Sequence, residues 1–368
     1  MNLDALIDRD ADFLIREVDA KFKPIFEKKE FSEDEKRAIY RYLFSRKPQK
    51  LPPSLKNRLI NLYDPLADRS TRFPDGLRFC INVYVGCEHN CPYCYVNGYS
   101  QESVGISPHQ KKDFEKNLSK DLQSLRSLGV PASPLHMSNS TDPLQKTLEK
   151  KHSNTLIALQ KLREHRSQFT SITILTKNPA ILCTEPYLSI IKDGGMKLFT
   201  VQITCAYWDD NVRAFYEPKA PDIHERLHAL KFLAENGVDV ELRIDPLFPS
   251  SRIPETIRLH KPLYHYSLPE AQSHEDISNL VRFAKKSGAK AVISKPLKVP
   301  FSKRAQRCKD LFSIIYKDAS GKGKRKTVGG TWRLPDNYQK ALMSTVSDIC
   351  AREGIPFKHC MVDVLGRD

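Results

Sequence analysis

The chain has 368 residues, 40% of them hydrophobic, which suffices for one large domain with additions or for two domains with a sizeable core. No run of about 18 apolar residues occurs, so a membrane-spanning helix is excluded, and Asp4, Asp8, Asp10 and Asp12 stand where a secretion leader would place basic and then apolar residues. Lys and Arg outnumber Asp and Glu by 59 to 44, a formal charge of +15 that suits a polyanionic partner such as nucleic acid without establishing one.

The expected location is the cytoplasm, with no membrane association. Nine cysteines, an odd number, fit a reducing compartment in which thiolates stay free to bind metal.

Residues 1–75 read as a helical extension without strands. Leu6, Phe13, Leu14, Val18 and Phe22 recur near helical spacing, and Ser32 three residues before Glu35 is a capping-box start to the helix through Tyr40 and Leu43. Pro52-Pro53 interrupts this region, and Pro74-Asp75-Gly76 is a turn into the first strand.

That strand, Phe79 to Gly86, runs into Cys87-Glu88-His89-Asn90-Cys91-Pro92-Tyr93-Cys94-Tyr95. Three thiols at C-x3-C-x2-C spacing in one short loop can converge on a single metal centre. An iron–sulfur cubane usually takes four cysteines; three leave one iron with an open coordination position, where chemistry can occur. Zinc is the competing reading, but a zinc knuckle pairs C-x2-C with a second ligand pair. Cys80, Cys183, Cys205, Cys308, Cys350 and Cys360 form no such pair. Buried free thiols are the bland alternative.

From here β-branched runs alternate with helical stretches. Further strands are expected at Pro134 to Asn139, Ser171 to Thr176, Leu198 to Thr204, Val238 to Asp245 and Ala289 to Lys295. Between them, Lys111 to Leu128, Leu148 to Arg163, Glu185 to Lys192, Asp222 to Asn236 and His274 to Ser287 carry apolar residues at helix spacing. Six β–α units imply a parallel sheet with right-handed crossovers. The expected fold is α/β: an incomplete (β/α)6 TIM-type barrel over residues 76–300, with the 1–75 extension and a small cap over 301–368. Ligands of such folds gather at the carboxyl ends of the strands, where the three cysteines also fall.

In the cap, Lys317 to Lys326 is a basic, Gly-containing stretch that reads as a nucleic-acid backbone clamp or as a solvated loop. Asn337 to Glu353 reads as helix and Pro356 to Leu365 as extended, a cover for the open side of the barrel.

The cysteine spacing, with an aromatic residue directly before the third cysteine, resembles the radical S-adenosylmethionine (SAM) superfamily. Asn82 to Cys87, Cys91 to Tyr95, Ser138 to Pro143, Ile174 to Lys177, Tyr216-Glu217-Pro218, Glu225-Arg226-Leu227 and Asp245-Pro246-Leu247 resemble its spore photoproduct lyase and DNA-repair-photolyase-like branch over roughly residues 78 to 250. The resemblance implies a [4Fe-4S] cluster on Cys87, Cys91 and Cys94, SAM as cofactor, and an external one-electron reductant of flavodoxin or ferredoxin type. The protein would hold SAM and keep water off the 5′-deoxyadenosyl radical while the cofactor does the hard chemistry.

For the site residues, strand ends suggest Ser138, Ser140 or Thr141 for the SAM amino group, Lys177 for its carboxylate and Thr204 for ribose or carboxylate. In the lyase the residues matching Ser138, Lys177 and Thr204 contact SAM. Tyr93 can pack on the adenine or the cluster. Tyrosines matching Tyr93 and Tyr95 relay a hydrogen atom in the lyase, which implies catalytic roles for both. Glu217 and Arg226 read as a structural ion pair, and Cys205 as a core thiol pointing toward the helices. One departure stands out: Met137 replaces the lyase's hydrogen-donating cysteine, and a thioether has no S–H to give. The expected reaction is therefore radical SAM hydrogen abstraction from damaged or modified nucleic acid, as in lesion repair; a tRNA base or a peptide is the alternative substrate, and a non-catalytic metal-binding barrel the alternative class.

Overall fold

A computed structural model describes residues 59–63, 78–94, 96, 107–127, 132–138, 140–192, 197–248, 268–297, 299–300, 326–328, 331–333 and 336–359. The capping box at Ser32, Tyr95 and the basic stretch up to Arg325 lie outside these residues.

Eight strands make the main sheet. They are β1 (Ile60–Tyr63), β2 (Arg78–Ile81), β5 (Ser133–Met137), β6 (Phe169–Thr176), β7 (Phe199–Thr204), β8 (Asp239–Leu247), β9 (Val292–Pro296) and β13 (Phe357–His359), in the spatial order β1-β2-β5-β6-β7-β8-β9-β13. Only β1 is antiparallel to its neighbour. The six expected parallel strands are present in sequence order, as a partial TIM-type barrel requires. The C-terminal run does not simply cover the open side: β13 extends the sheet by pairing parallel to β9.

Two departures have local causes. Ile60–Tyr63 is a strand where the sequence reads as helical extension, because it pairs with β2 and the Asp121 carboxylate accepts the N–H groups of Leu59 at 2.6 Å and Ile60 at 3.0 Å. The expected strand Phe79 to Gly86 stops at Ile81, since Asn82 turns its side-chain oxygen to the Ser140 N–H at 3.0 Å. The chain then enters a short hairpin, β3 (Tyr84–Val85) with β4 (His109–Gln110). A smaller three-stranded sheet joins β10 (Val299–Pro300), β12 (Thr331–Arg333) and β11 (Lys326–Val328).

Among the described residues the α-helices are α1 (Phe114–Ser127), α2 (Lys146–His152), α3 (Asn154–Glu164), α4 (Tyr187–Lys192), α5 (Asp210–Tyr216), α6 (Ile223–Glu235), α7 (His274–Lys286) and α8 (Asp336–Glu353). The single helix expected from Leu148 to Arg163 is broken into α2 and α3 at Ser153, which takes a left-handed φ of 52°. Helix starts follow capping chemistry: Asp222 accepts the Glu225 N–H, and Ser273 forms a capping box with Asp276.

Alternation along the strands separates two faces. Ile81, Met137, Ile174, Val201 and Val240 align across five strands and are fully buried. Ile223, Leu227, Leu230 and Leu233 of α6 join the same core, each worth roughly 2 kcal/mol by burial. On the opposite face Arg243 donates to Gln202 at 3.1 Å, Gln202 to Glu241 at 2.9 Å, and Lys358 to Glu241 at 2.7 Å. Lys358 thereby ties β13 to β8 across β9.

Candidate metal centre and cofactor site

Gly86 sets the entry to the cysteine loop. Its φ is +71°, and a Cβ there would lie 3.0 Å from Pro108 Cα, so only glycine fits. Cys91 is buried and Cys87 and Cys94 are half-buried; all three are free thiols, and the Cys94 N–H donates to the Cys91 carbonyl at 3.2 Å. They lie close enough to perturb one another. Burial, with the Asp142 carboxylate and Cys94 adding to it, pushes the Cys87 thiol up to about 12. Burial, then Glu217, also drives Cys91 well above the ordinary thiol range, and Cys87 and Cys94 contribute.

A thiol must lose its proton to ligate metal. Cys87 and Cys91, held protonated by their surroundings, need a cationic centre to become thiolates, and with Cys94 beside them this donor set fits an iron–sulfur cluster. Among the described residues no three His, Cys, Asp or Glu side chains converge on a single-ion site. A cubane spreads its cysteines over separate irons.

The strand ends beside this loop carry buried, unpartnered hydroxyls. Ser138 directly follows β5 with φ +78°, a left-handed conformation costly for serine, held by its N–H to the Ile81 carbonyl at 2.8 Å. Ser138 Oγ and Thr141 Oγ1 are both buried without a hydrogen-bond partner. Buried polar groups are normally paired, so these two suit a polar ligand. Ser140 differs: its hydroxyl is not among the buried unpartnered groups, and its backbone N–H donates to Asn82.

Lys177 lies just past β6. Its Nζ is 3.5 Å from Glu217 Oε1 and 5.9 Å from the Tyr93 ring centroid. Tyr93 donates its hydroxyl to the same Glu217 oxygen and meets Phe248 edge-on at 5.8 Å. The other Glu217 oxygen is 2.6 Å from Arg226 Nη1. Burial alone would raise the Glu217 carboxyl, but Arg226 and then Lys177 outweigh it and hold it down to about 2. Glu217 thus reads as the sequence suggested, half of an ion pair with Arg226, but it also grips two site residues. Asp142 adds a second carboxylate beside Lys177, so the two cations of this group face two anions.

Thr204 ends β7, buried, and its carbonyl accepts from Arg226 Nη1 at 3.0 Å. Cys205 is buried and near Arg226 of α6, the helix side. The structure therefore gathers Cys87, Cys91, Cys94 and Tyr93 in one loop and sets Ser138, Ser140, Lys177 and Thr204 at successive strand ends.

Sequence reasoning missed Asp142 and Gln145. Gln145 Nε2 donates to the Gly86 and Asp142 carbonyls at 3.2 and 3.0 Å, and its Oε1 accepts the Glu88 N–H at 2.7 Å. Nothing in residue type or spacing marks Gln145 as a brace for the cysteine loop; Asp142 lies within a stretch carrying the family resemblance, but without a role.

Residues 81–251 match the family model described as Radical SAM superfamily. That family works with a [4Fe-4S] cluster and SAM, and the donor set and unpartnered hydroxyls here fit both. Two curated relatives are uncharacterized proteins. One, of Methanocaldococcus jannaschii, is 27% identical over 49% of this chain and 63% of its own length. The other, of Acidianus two-tailed virus, is 22% identical over 49% of this chain and 59% of its own. The chain thus spans about three-fifths of these relatives. Among solved structures, a spore photoproduct lyase mutant shares the fold at TM-score 0.54 and 13% identity, covering 90% of this chain and 85% of that one. A double mutant of that lyase with bound AdoMet and dinucleoside spore photoproduct aligns at TM-score 0.53 and 12% identity, covering 96% and 93%. Among the described residues no helix is long and apolar enough to cross a membrane.

Proposed function

Because residues 81–251 form a radical SAM domain, we propose that Cys87, Cys91 and Cys94 anchor the cluster and that the chain abstracts hydrogen from a damaged or modified nucleic acid. When bound, the cluster supplies the electron that cleaves SAM to a 5′-deoxyadenosyl radical. The observation that carries the reading is the placement of three mutually perturbing free thiols beside the unpartnered hydroxyls of Ser138 and Thr141.

The chain's own residues divide the remaining work. Ser138 and Thr141 accept from the SAM amino group, while Ser140, at the same strand end, is the weaker third acceptor. Lys177 meets the carboxylate. Thr204 bonds the ribose or carboxylate. Tyr93 closes the wall between cluster and cofactor, its hydroxyl oriented by Glu217, and Tyr95 serves as the second tyrosine of the relay. An external reductant of flavodoxin or ferredoxin type delivers the electron in the cytoplasm. The charge of +15 supports a nucleic-acid substrate.

Met137 favours a second reading. It is wholly buried in the core and offers no S–H to a product radical, which supports a reaction other than lesion splitting, on a tRNA base or a peptide.

Protein reconstituted without oxygen should bind about four irons and release 5′-deoxyadenosine from SAM with dithionite. Transfer of deuterium from a lesion-bearing oligonucleotide into 5′-deoxyadenosine tests the substrate; colourless, iron-free protein after reconstitution overturns the whole assignment.

A further inference from the structure

We propose that Asp142 is a positioning residue that registers the cysteine loop against the strand ends receiving the cofactor, with His89 as its contact on the loop. The inference rests on the cofactor reading above.

Asp142 is buried, and its two oxygens accept three hydrogen bonds and meet one imidazole nitrogen. Oδ1 accepts the Leu144 N–H at 2.9 Å and the Thr176 hydroxyl at 2.8 Å. Oδ2 accepts the Lys177 N–H at 2.6 Å and lies 3.1 Å from His89 Nε2. A carboxylate has about four acceptor sites, and here they join three separate segments: the cysteine loop, the turn after β5 and the end of β6. Lys177 is held at both ends, its N–H by Asp142 and its Nζ by Glu217.

His89 sits between two of the cysteines with only 4% exposure; neither ring nitrogen makes a hydrogen bond of good geometry, and Nε2 approaches the Asp142 carboxylate at 3.1 Å. A buried imidazole with one side against a carboxylate is the arrangement by which outer residues orient metal-site loops. Loop retention does not depend on it, because Gln145 holds the Gly86 carbonyl and the Glu88 N–H, the Thr147 N–H donates to Glu88 at 3.1 Å, and the Lys219 N–H to the His89 carbonyl at 3.3 Å. The backbone clamp keeps the loop in place; the His89–Asp142 contact sets where it stands relative to Lys177 and Ser138.

The test compares reconstituted wild type with His89→Leu, His89→Gln, Asp142→Asn and the His89→Leu/Asp142→Asn double variant. Iron per chain, thermal midpoint, SAM dissociation constant and the SAM-induced change in the reduced cluster's EPR spectrum are measured. Expected are near-wild-type iron and midpoint for His89→Leu, a SAM dissociation constant raised about 10-fold or more, a diminished EPR response, and recovery of much of the affinity in His89→Gln. The double variant should bind SAM no worse than Asp142→Asn, since the two residues act as one unit. Wild-type SAM affinity in both single variants, or losses that multiply in the double, overturns the inference. If His89→Leu loses iron, Asp142→Asn decides by the same affinity criterion. A wild type that takes up iron but binds no SAM overturns the proposed function itself, a result distinct from variants that merely match wild type.

Discussion

Glu217 and Arg226 meet at 2.6 Å with neither side chain exposed, and the same carboxylate holds Tyr93 and Lys177. Removing one partner of such a pair leaves a buried charge unmatched, at a cost of about 3–5 kcal/mol. Glu217→Gln should therefore lower the urea midpoint at pH 7 strongly. The carboxyl is depressed from 4.5 to about 2 on folding, so its stabilisation is complete above pH 4.5 and is lost as pH falls toward 2. That contribution is on the order of 3 kcal/mol. Stability measured from pH 6 to pH 2.5 should fall less steeply in Glu217→Gln than in wild type; parallel curves would assign the acid sensitivity to other groups.

The three cysteines should differ sharply from the others. Replacing Cys87, Cys91 or Cys94 by Ala should abolish iron binding on reconstitution, because no further cysteine in the loop can substitute. Cys205→Ala should keep full iron, since that thiol belongs to the helix-facing core, and should lose only about 1 kcal/mol for the missing sulfur contacts. Iron and sulfide assays alongside a denaturation curve separate the two effects.

Much of the architecture was legible because β-branched runs such as Ser171 to Thr176 and Leu198 to Thr204 contrast with the helical spacing of Ile223, Leu227, Leu230 and Leu233. Breaks depended on single side chains reaching across the fold. Asn82 ends β2 by bonding Ser140, Ser153 divides a helix by its left-handed backbone, and Ile60–Tyr63 becomes a strand through pairing and Asp121. The cysteine motif could be read because its chemistry is local in sequence. Glu217 lies 124 residues from the tyrosine it holds, and no spacing rule reaches that far.

Glu149 gives a similar case away from the site. Its carboxylate accepts from the hydroxyls of Tyr84 and Tyr187 and from the N–H groups of Thr155 and Leu156. Each buried donor left unpaired costs about 1–3 kcal/mol. Glu149→Ala, which strands four donors, should thus destabilise far more than Tyr84→Phe, which leaves the carboxylate three donors and strands only the Asn154 N–H. Urea unfolding of both variants checks the order, and equal losses would show that the junction does not act through donor satisfaction.

The hydroxyls at the strand end should separate cofactor binding from cluster binding. Ser138 Oγ and Thr141 Oγ1 are buried and unpartnered, whereas the Ser140 hydroxyl is not among the buried unpartnered groups. Ser138→Ala and Thr141→Ala should each weaken SAM binding by about 1 kcal/mol, a factor of five to ten, with iron content unchanged. Ser140→Ala should change SAM affinity less. Equilibrium dialysis with radiolabelled SAM on reconstituted protein measures all three, and a larger loss at Ser140 than at Ser138 would reverse the ranking.

Met137 decides between lesion splitting and another reaction. It aligns with Ile81 and Ile174 in the core and is fully buried. Met137→Cys removes apolar atoms worth about 1–2 kcal/mol and places an S–H one residue before Ser138. With a lesion-bearing oligonucleotide as substrate, a lyase-type reaction lacking its hydrogen donor should then yield more repaired product per 5′-deoxyadenosine formed. Chromatography of both products measures the ratio, and a urea curve confirms that the variant folds. A raised ratio assigns the lyase-type reaction, whereas a folded variant with an unchanged ratio shows that a thiol on this core-packed face of β5 does not reach the product radical, and the deuterium-transfer experiment then decides the substrate.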